Sequence, residues 1–290
     1  MQLVTIADLD RPHAEKSALI ERAMQLSRMY EEFKATDTQT HKYDVEIHGE
    51  RSRAPGIHAS EMSKCQRMVV YSIRDVERRS VSADQGDTNM RMRFALGHAV
   101  HAMIQSDMHR MAARYGDALQ FEDEVKIHPG LGGVAATYDM HSSCDGLFTF
   151  KHNGVPYLRV GLEIKTSSGP EFDKLVKPAE EYSEQTCLYQ KALDVPLMWI
   201  FYYNKSNSNW TKSEPPWLYQ FDKHLWDTKL EPRFIEAHRN AASGHYPERS
   251  EGRHCRWCPF AWTCQPNALN QRQYGPSTTA HRPGALRVHR

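Results

Sequence analysis

Apolar residues recur at helical spacing through residues 13–35. Leu19, Ala23, Leu26, Met29, Tyr30 and Phe33 fall on one face there and predict an amphipathic helix. A second helix is expected to open at Ser60, with Met68, Val69, Val70 and Ile73 as its apolar positions and Cys65 lying on it. Residues 80–90 read as a loop, and residues 91–114 as a third helix that carries Gly97, His98 and His101. The period then changes from 3.6 to 2. Phe121–His128 alternates as a strand, and Gly130, Gly132 and Gly133 mark a turn. Tyr138–Phe150 and Tyr157–Lys165 read as two strands joined by KHNGVP, in which Asn153-Gly154 is a hairpin signal. A helix is expected over Ala179–Leu193, a buried strand over the apolar run Val195–Tyr203, a short strand over Trp217–Phe221 and a helix over Lys223–Ala242. This order predicts an α/β fold with a mixed central sheet flanked by helices.

Composition narrows the class. With 40% hydrophobic and 25% charged residues, the 290-residue chain has the balance of a soluble globular protein. Its longest apolar run is far too short for a membrane helix, so no membrane partner is expected. The first residues lack the apolar core of a secretory signal, which points to the cytoplasm. The net charge is only +1, so any nucleic-acid surface must come from local clustering. Residues 36–57 read as a linker. Residues 266–290 hold four Arg and no acid, and read as a basic, disordered tail.

The cysteines carry more information. Cys255, Cys258 and Cys264 form C-x2-C-x5-C, Cys65 lies upstream with 189 residues between it and the first of them, and Cys144 and Cys187 stand alone. In a reducing compartment, clustered thiols indicate metal rather than disulfides. Four cysteines suit either zinc or an iron–sulfur cluster. A zinc ribbon usually shows two CxxC knuckles and only one is present, which favours iron–sulfur. Such a site would staple the N-terminal helices to the C-terminal end. Trp257, Phe260 and Trp262 would shield it or line a path for bases.

Asp145 and the run Glu163-Ile164-Lys165 are the candidate chemistry. Glu163 and Lys165 share a strand face, and an Asp on the neighbouring strand can bring in a second carboxylate. Two carboxylates and the Ile164 carbonyl make a hard-oxygen site for Mg²⁺ or Mn²⁺, beside which Lys165 can hold a water and stabilise a phosphorane-like transition state. A Glu-x-Lys on an exposed strand gives the same pattern. Register is a further condition. A plain two-residue turn at Asn153-Gly154 pairs Asp145 with Leu162 and sends the two carboxylates to opposite faces, so the site demands an odd-length loop or a β-bulge between Phe150 and Tyr157. His101, in Gly97-x-x-x-His101, adds an imidazole, with His98 as its competitor. Gln185 and Tyr189, one helical turn apart, are either a supporting pair or a half-buried helix face.

Cys65 in SKCQR with Arg67 two residues on, GxxxH, Asp145, ExK, QxxxY and CxxCx5C follow one another from about Ser60 to Cys264. In that order they resemble the RecB-like branch of the PD-(D/E)XK nucleases. The iron–sulfur exonucleases of that branch, which include the CRISPR-adaptation nuclease and its phage-encoded relatives, are the most similar. The resemblance implies a restriction-endonuclease-like core over residues 58–265, after an N-terminal helix and linker (1–57) and before the tail. It implies that His101, Asp145, Glu163 and Ile164 bind Mg²⁺ or Mn²⁺, with Lys165 as catalytic lysine and Gln185 and Tyr189 in support. It implies that Cys65, Cys255, Cys258 and Cys264 hold a 4Fe–4S cluster. The implied activity is a DNA exonuclease on single-stranded ends, 5′ to 3′, in DNA processing, recombination or repair, with any helicase supplied in trans. The alternatives are a non-catalytic DNA-end or partner-binding module and a zinc four-cysteine nucleic-acid binder.

Overall fold

One mixed sheet has the strand order β1 (Leu119–Ile127), β2 (Ser142–His152), β3 (Val155–Ser167), β4 (Leu197–Asn204) and β5 (Leu218–Gln220). The computed structural model describes residues 3–10, 13–38, 55–79, 88–207, 209–210, 217–252, 254–255 and 258–264. β1, β2 and β3 pair antiparallel, β4 runs parallel to β3, and β5 is antiparallel to β4. A parallel pair needs a crossover. The segment between β3 and β4 supplies it with α6 (Gly169–Phe172) and α7 (Glu180–Leu193).

Helices cover both faces. α1 (His13–Thr36) and α4 (Thr88–Arg114) bury Leu26, Tyr30, Ile104 and Met108 against Phe148, Leu162, Ile164 and Phe201 of the sheet. On the opposite face α3 (Gln66–Ile73), α7 and α9 (Glu231–Ser243) bury Val69, Leu188 and Phe234 around Cys144 and Met198. α1 is held to α4 by a buried carboxylate. Asp107 accepts from Tyr30 Oη at 3.2 Å and Lys34 Nζ at 2.9 Å, and also from Arg110. This fixes the helix that carries His101. Among the described residues, no helix is long and apolar enough to cross a membrane.

Several boundaries differ from the sequence expectation. The helix expected from Ser60 is broken: α2 (Ala59–Met62) ends at a turn, and Cys65 is the extended N-cap of α3, φ −134° and ψ 124°, rather than a helical residue. The break suits Glu61. Its buried carboxylate takes two bonds from Arg78 at 2.7 and 3.1 Å and one from Ser72 at 2.8 Å. The third helix begins at Thr88, inside the expected loop, whose residues 80–87 lie outside the described residues. The strand expected from Tyr138 begins at Ser142. Left-handed Gly132 and Gly133 lead instead into a helical turn, α5 (Gly133–Thr137), which left-handed Asp139 terminates. The last long helix starts as α8 (Lys223–Leu225) and passes through a π-helical turn, Trp226–Leu230, before α9. Pro232 enters there without an N–H to donate, which accommodates the widened turn. The tail, Trp257 and most of the linker (39–54) lie outside the described residues.

Candidate active site

The register condition set by the sequence is met. β2 and β3 pair His152 with Val155 and Lys151 with Pro156, then Phe150 with Leu158, so Tyr157 is an extra residue in β3. Asn153 and Gly154 adopt φ of 51° and 77° in the turn, as a two-residue hairpin requires. Past the bulge the register runs to Gly146 opposite Leu162 and brings Asp145 level with Glu163.

At Asp145 the sheet opens. Pairing with β3 stops at Gly146, and Asp145 Oδ2 takes the Ile164 N–H at 2.7 Å. The β1 ladder also skips this point. It runs to Asp123–Gly146 and resumes at Val125–Cys144, while Glu124 adopts a left-handed φ of 49°. In a regular strand, residues four apart share a face. Here Phe121 and Val125 face opposite cores, as do Phe148 and Cys144. The β1–β2 ribbon therefore turns over at Glu124 and Asp145, and the turnover aims the Asp145 carboxylate between β3 and α4.

All seven expected residues gather there. His101 Nδ1 is 3.4 Å from Asp145 Oδ1, whereas His98 is exposed on the same helix. On β3, Lys165 Nζ lies 2.5 Å from Glu163 Oε1 and donates to Gln185 Oε1 at 3.1 Å. Gln185 Nε2 donates to Tyr189 Oη at 2.7 Å, so the glutamine–tyrosine pair sets the lysine's position. Ile164 meets Asp145 through its N–H.

The charges are held under tension. Burial pushes Glu163 up to about 7. The Asp145 charge adds to the rise, and Lys165 opposes it. Burial also works against Asp145, yet His101, the Ile164 N–H and Lys165 hold its carboxyl below its ordinary value. Burial disfavours protonated His101 and Lys165 too, but the carboxylates outweigh it and raise both. Glu163 Oε2 is buried with no hydrogen-bond partner. An orphaned carboxylate oxygen near a second carboxylate offers hard-oxygen donors of the kind divalent cations take, although among the described residues no three His, Cys, Asp or Glu side chains, these included, are placed to hold a metal ion together.

The cysteine motif also comes together. Cys65, Cys255, Cys258 and Cys264 line one cavity between the start of α3 and the C-terminal segment. Burial pushes the Cys258 thiol up to about 11, and Cys264, Cys65 and Cys255 add to the rise. Thiols that oppose one another's ionisation need a cationic centre to become ligands. Arg67 donates to Cys264 Sγ at 3.9 Å and to the Pro247 carbonyl at 2.7 Å. Among the described residues, no three His, Cys, Asp or Glu side chains already converge as a ready single-ion site.

Sequence reasoning missed several contributors. Lys165 Nζ sits 4.2 Å from the Tyr182 ring centroid, one turn before Gln185. Gly146 admits the Phe121 ring, whose carbons lie 2.5 Å from where a Cβ would be. Gln105 and Glu124 bond at the turnover. Tyr182 carried a signal in its i−3 spacing from Gln185, and Gln105 in its i+4 spacing from His101.

No family model matches the chain, and no curated protein matches it. Solved structures similar to it include SSO0001, at 16% identity over 85% of this chain and 96% of that one, with a TM-score of 0.44. An alkaline exonuclease (LHK-Exo) from Laribacter hongkongensis is similar at 13% identity over 66% of this chain and 90% of that one, with a TM-score of 0.37. The complex of LHK-Exo with dAMP gives a TM-score of 0.36 at the same identity and coverage.

Proposed function

We propose that this chain is a divalent-metal-dependent DNA nuclease with a PD-(D/E)XK core. The observation that carries the reading is the orphaned, buried Glu163 Oε2 on a strand that Asp145 joins through the Ile164 N–H, with His101 and Lys165 alongside. His101, Asp145, Glu163 and the Ile164 carbonyl would hold Mg²⁺ or Mn²⁺. The ion supplies polarisation of a phosphoryl oxygen and a lowered pKa for water.

The chain's own residues do the rest. Asp145 keeps its charge against burial through His101 first and the Ile164 N–H second, and stays available as an anionic donor. Gln185, itself fixed by Tyr189, and the Tyr182 ring hold the Lys165 ammonium at the edge of the site. From there it orients the attacking water and stabilises charge building on the phosphate. Hydrolysis cleaves one P–O bond, and the water oxygen joins phosphorus.

The finer reading follows the sequence motifs: an exonuclease on single-stranded DNA ends, working 5′ to 3′, with a 4Fe–4S cluster on Cys65, Cys255, Cys258 and Cys264. The four thiols line one cavity, as a shared four-cysteine site requires, and the single CxxC knuckle favours a cluster over zinc. End-labelled single- and double-stranded oligonucleotides, incubated with Mg²⁺, Mn²⁺ or EDTA, test the activity. Metal-dependent loss of label that Asp145→Ala abolishes is expected. Equal cleavage by purified Asp145→Ala would refute the assignment. Anaerobic purification with a visible spectrum and metal analysis tests the cluster, and a colourless zinc protein would replace it.

A further inference from the structure

The turnover at Asp145 leaves a main-chain carbonyl in need of a partner. Asp145 has no ladder pair in either neighbouring strand. A buried carbonyl without a partner costs about 1–3 kcal/mol. The partner comes from α4: Gln105, 7% exposed, donates Nε2–H to Asp145 O at 2.8 Å. Gln105 lies one helical turn after His101, which faces the carboxylate of the same aspartate. Two consecutive turns of α4 thus grip one residue, by its side chain and by its backbone.

The glutamine is itself oriented. Glu124 Oε1 accepts from the same Nε2 at 3.4 Å, and Glu124 Oε2 accepts from Ser143 Oγ at 2.8 Å. An acceptor on that side keeps the amide nitrogen, not its oxygen, toward Asp145. Glu124 reaches this place because its backbone takes the left-handed φ that turns the ribbon over.

We infer that Gln105 and Glu124 are positioning residues that set the Asp145 carboxylate for the divalent ion. The inference rests on the proposed metal site and adds two residues outside its motifs. Groups that orient a metal ligand typically change affinity by about 10–100-fold when removed. The third contact along α4, His109 Nε2 to Asp123 Oδ1 at 3.0 Å, docks the same helix on β1 without touching Asp145. It is the natural control.

Mn²⁺ binding to the full chain, followed by electron paramagnetic resonance with DNA absent, reads the effect. Gln105→Leu is expected to weaken Mn²⁺ at least about tenfold, and His109→Ala to leave it unchanged. Glu124→Gln keeps an acceptor and is expected to bind like wild type, while Glu124→Ala shifts in the same direction as Gln105→Leu. Wild-type affinity in folded Gln105→Leu overturns the inference, as does equal weakening by His109→Ala. If Gln105→Leu fails to fold, unchanged affinity in folded Glu124→Ala overturns it instead. A loss in Glu124→Gln as large as in Glu124→Ala assigns a direct carboxylate role and overturns the positioning account. Wild-type protein that binds no Mn²⁺ removes the metal site itself, an outcome distinct from all of these.

Discussion

Lys165 and Glu163, two residues apart on one face of β3, stand 2.5 Å from each other at Nζ and Oε1, while the second oxygen of Glu163 is buried without a partner. The lysine pairs with one oxygen of the carboxylate and leaves the other without a partner, where the proposed cation would bind. The roles of the two residues therefore separate under mutation. Lys165→Met is expected to keep Mn²⁺ binding and to lower cleavage about 10²–10³-fold, the cost of losing one preorganised stabilising group. It also removes the hydrogen-bond partner of a buried carboxylate, at about 1–3 kcal/mol, read by thermal unfolding of the metal-free protein. Glu163→Gln keeps the shape and is expected to end Mn²⁺ binding and cleavage together.

Asp145 has a structural duty besides its charge, because its Oδ2 takes the Ile164 N–H at 2.7 Å where the strands part. Asp145→Asn retains an oxygen for that bond. It is expected to lose metal binding and cleavage with a small change in melting temperature. Asp145→Ala leaves the N–H unsatisfied and is expected to cost about 1–3 kcal/mol more. Melting curves of the two variants side by side, without metal, decide the point. Identical curves would show that the Ile164 bond contributes nothing.

Much of this was legible in the sequence because it follows from period and spacing. Glu163 and Lys165 share a face by alternation, Gln185 and Tyr189 by the helical turn, and the need for a bulge before Tyr157 followed from counting residues across a known turn. Cys65 and the C-terminal thiols were paired by chemistry across 189 residues, and they line one cavity. What was not legible depends on departures from period. Nothing in Phe121–Val125 announces a left-handed Glu124, since a turnover of the ribbon pays off only through the two cores it serves. The break before Cys65 likewise follows from burying Glu61 against Arg78, a contact 17 residues away in sequence. The helical turn at Gly133–Thr137 was hidden among glycines that read as a simple turn.

Gly146 gives that turnover its room. A Cβ there would fall 2.5 Å from Phe121 ring carbons, and the ring is boxed by Phe148 and His109 at centroid distances of 4.6 and 4.9 Å. The ring cannot simply swing aside. Gly146→Ala is expected to cost about 1–3 kcal/mol by overpacking and to weaken Mn²⁺ by displacing the adjacent Asp145. Calorimetry and a Mn²⁺ titration on the same preparation test both parts. A variant as stable as wild type would mean that the Phe121 contact relaxes freely.

The thiol cavity has two supports, and they predict different failures. One is protein packing. Phe260 is fully buried against Tyr71 at 5.3 Å between ring centroids, Arg78 stacks over it at 4.9 Å, the Arg79 N–H donates to the Pro259 carbonyl at 3.0 Å, and Arg79 stacks over Trp262 at 4.0 Å. The other is the proposed cluster, which would close the 189-residue interval between Cys65 and Cys255 and constrain the unfolded chain. Phe260→Ala is expected to cost about 3–5 kcal/mol whether or not iron is present, as for a large aromatic removed from a core. Cys258→Ala leaves that packing in place, so its cost should appear only against the iron-loaded wild type and vanish when both proteins are compared after chelation. Unfolding measured anaerobically, with iron content determined on each sample, separates the two. A Cys258→Ala protein that keeps its iron and its melting temperature would remove the cluster's role as a staple and leave the aromatic packing to hold the C-terminal segment alone.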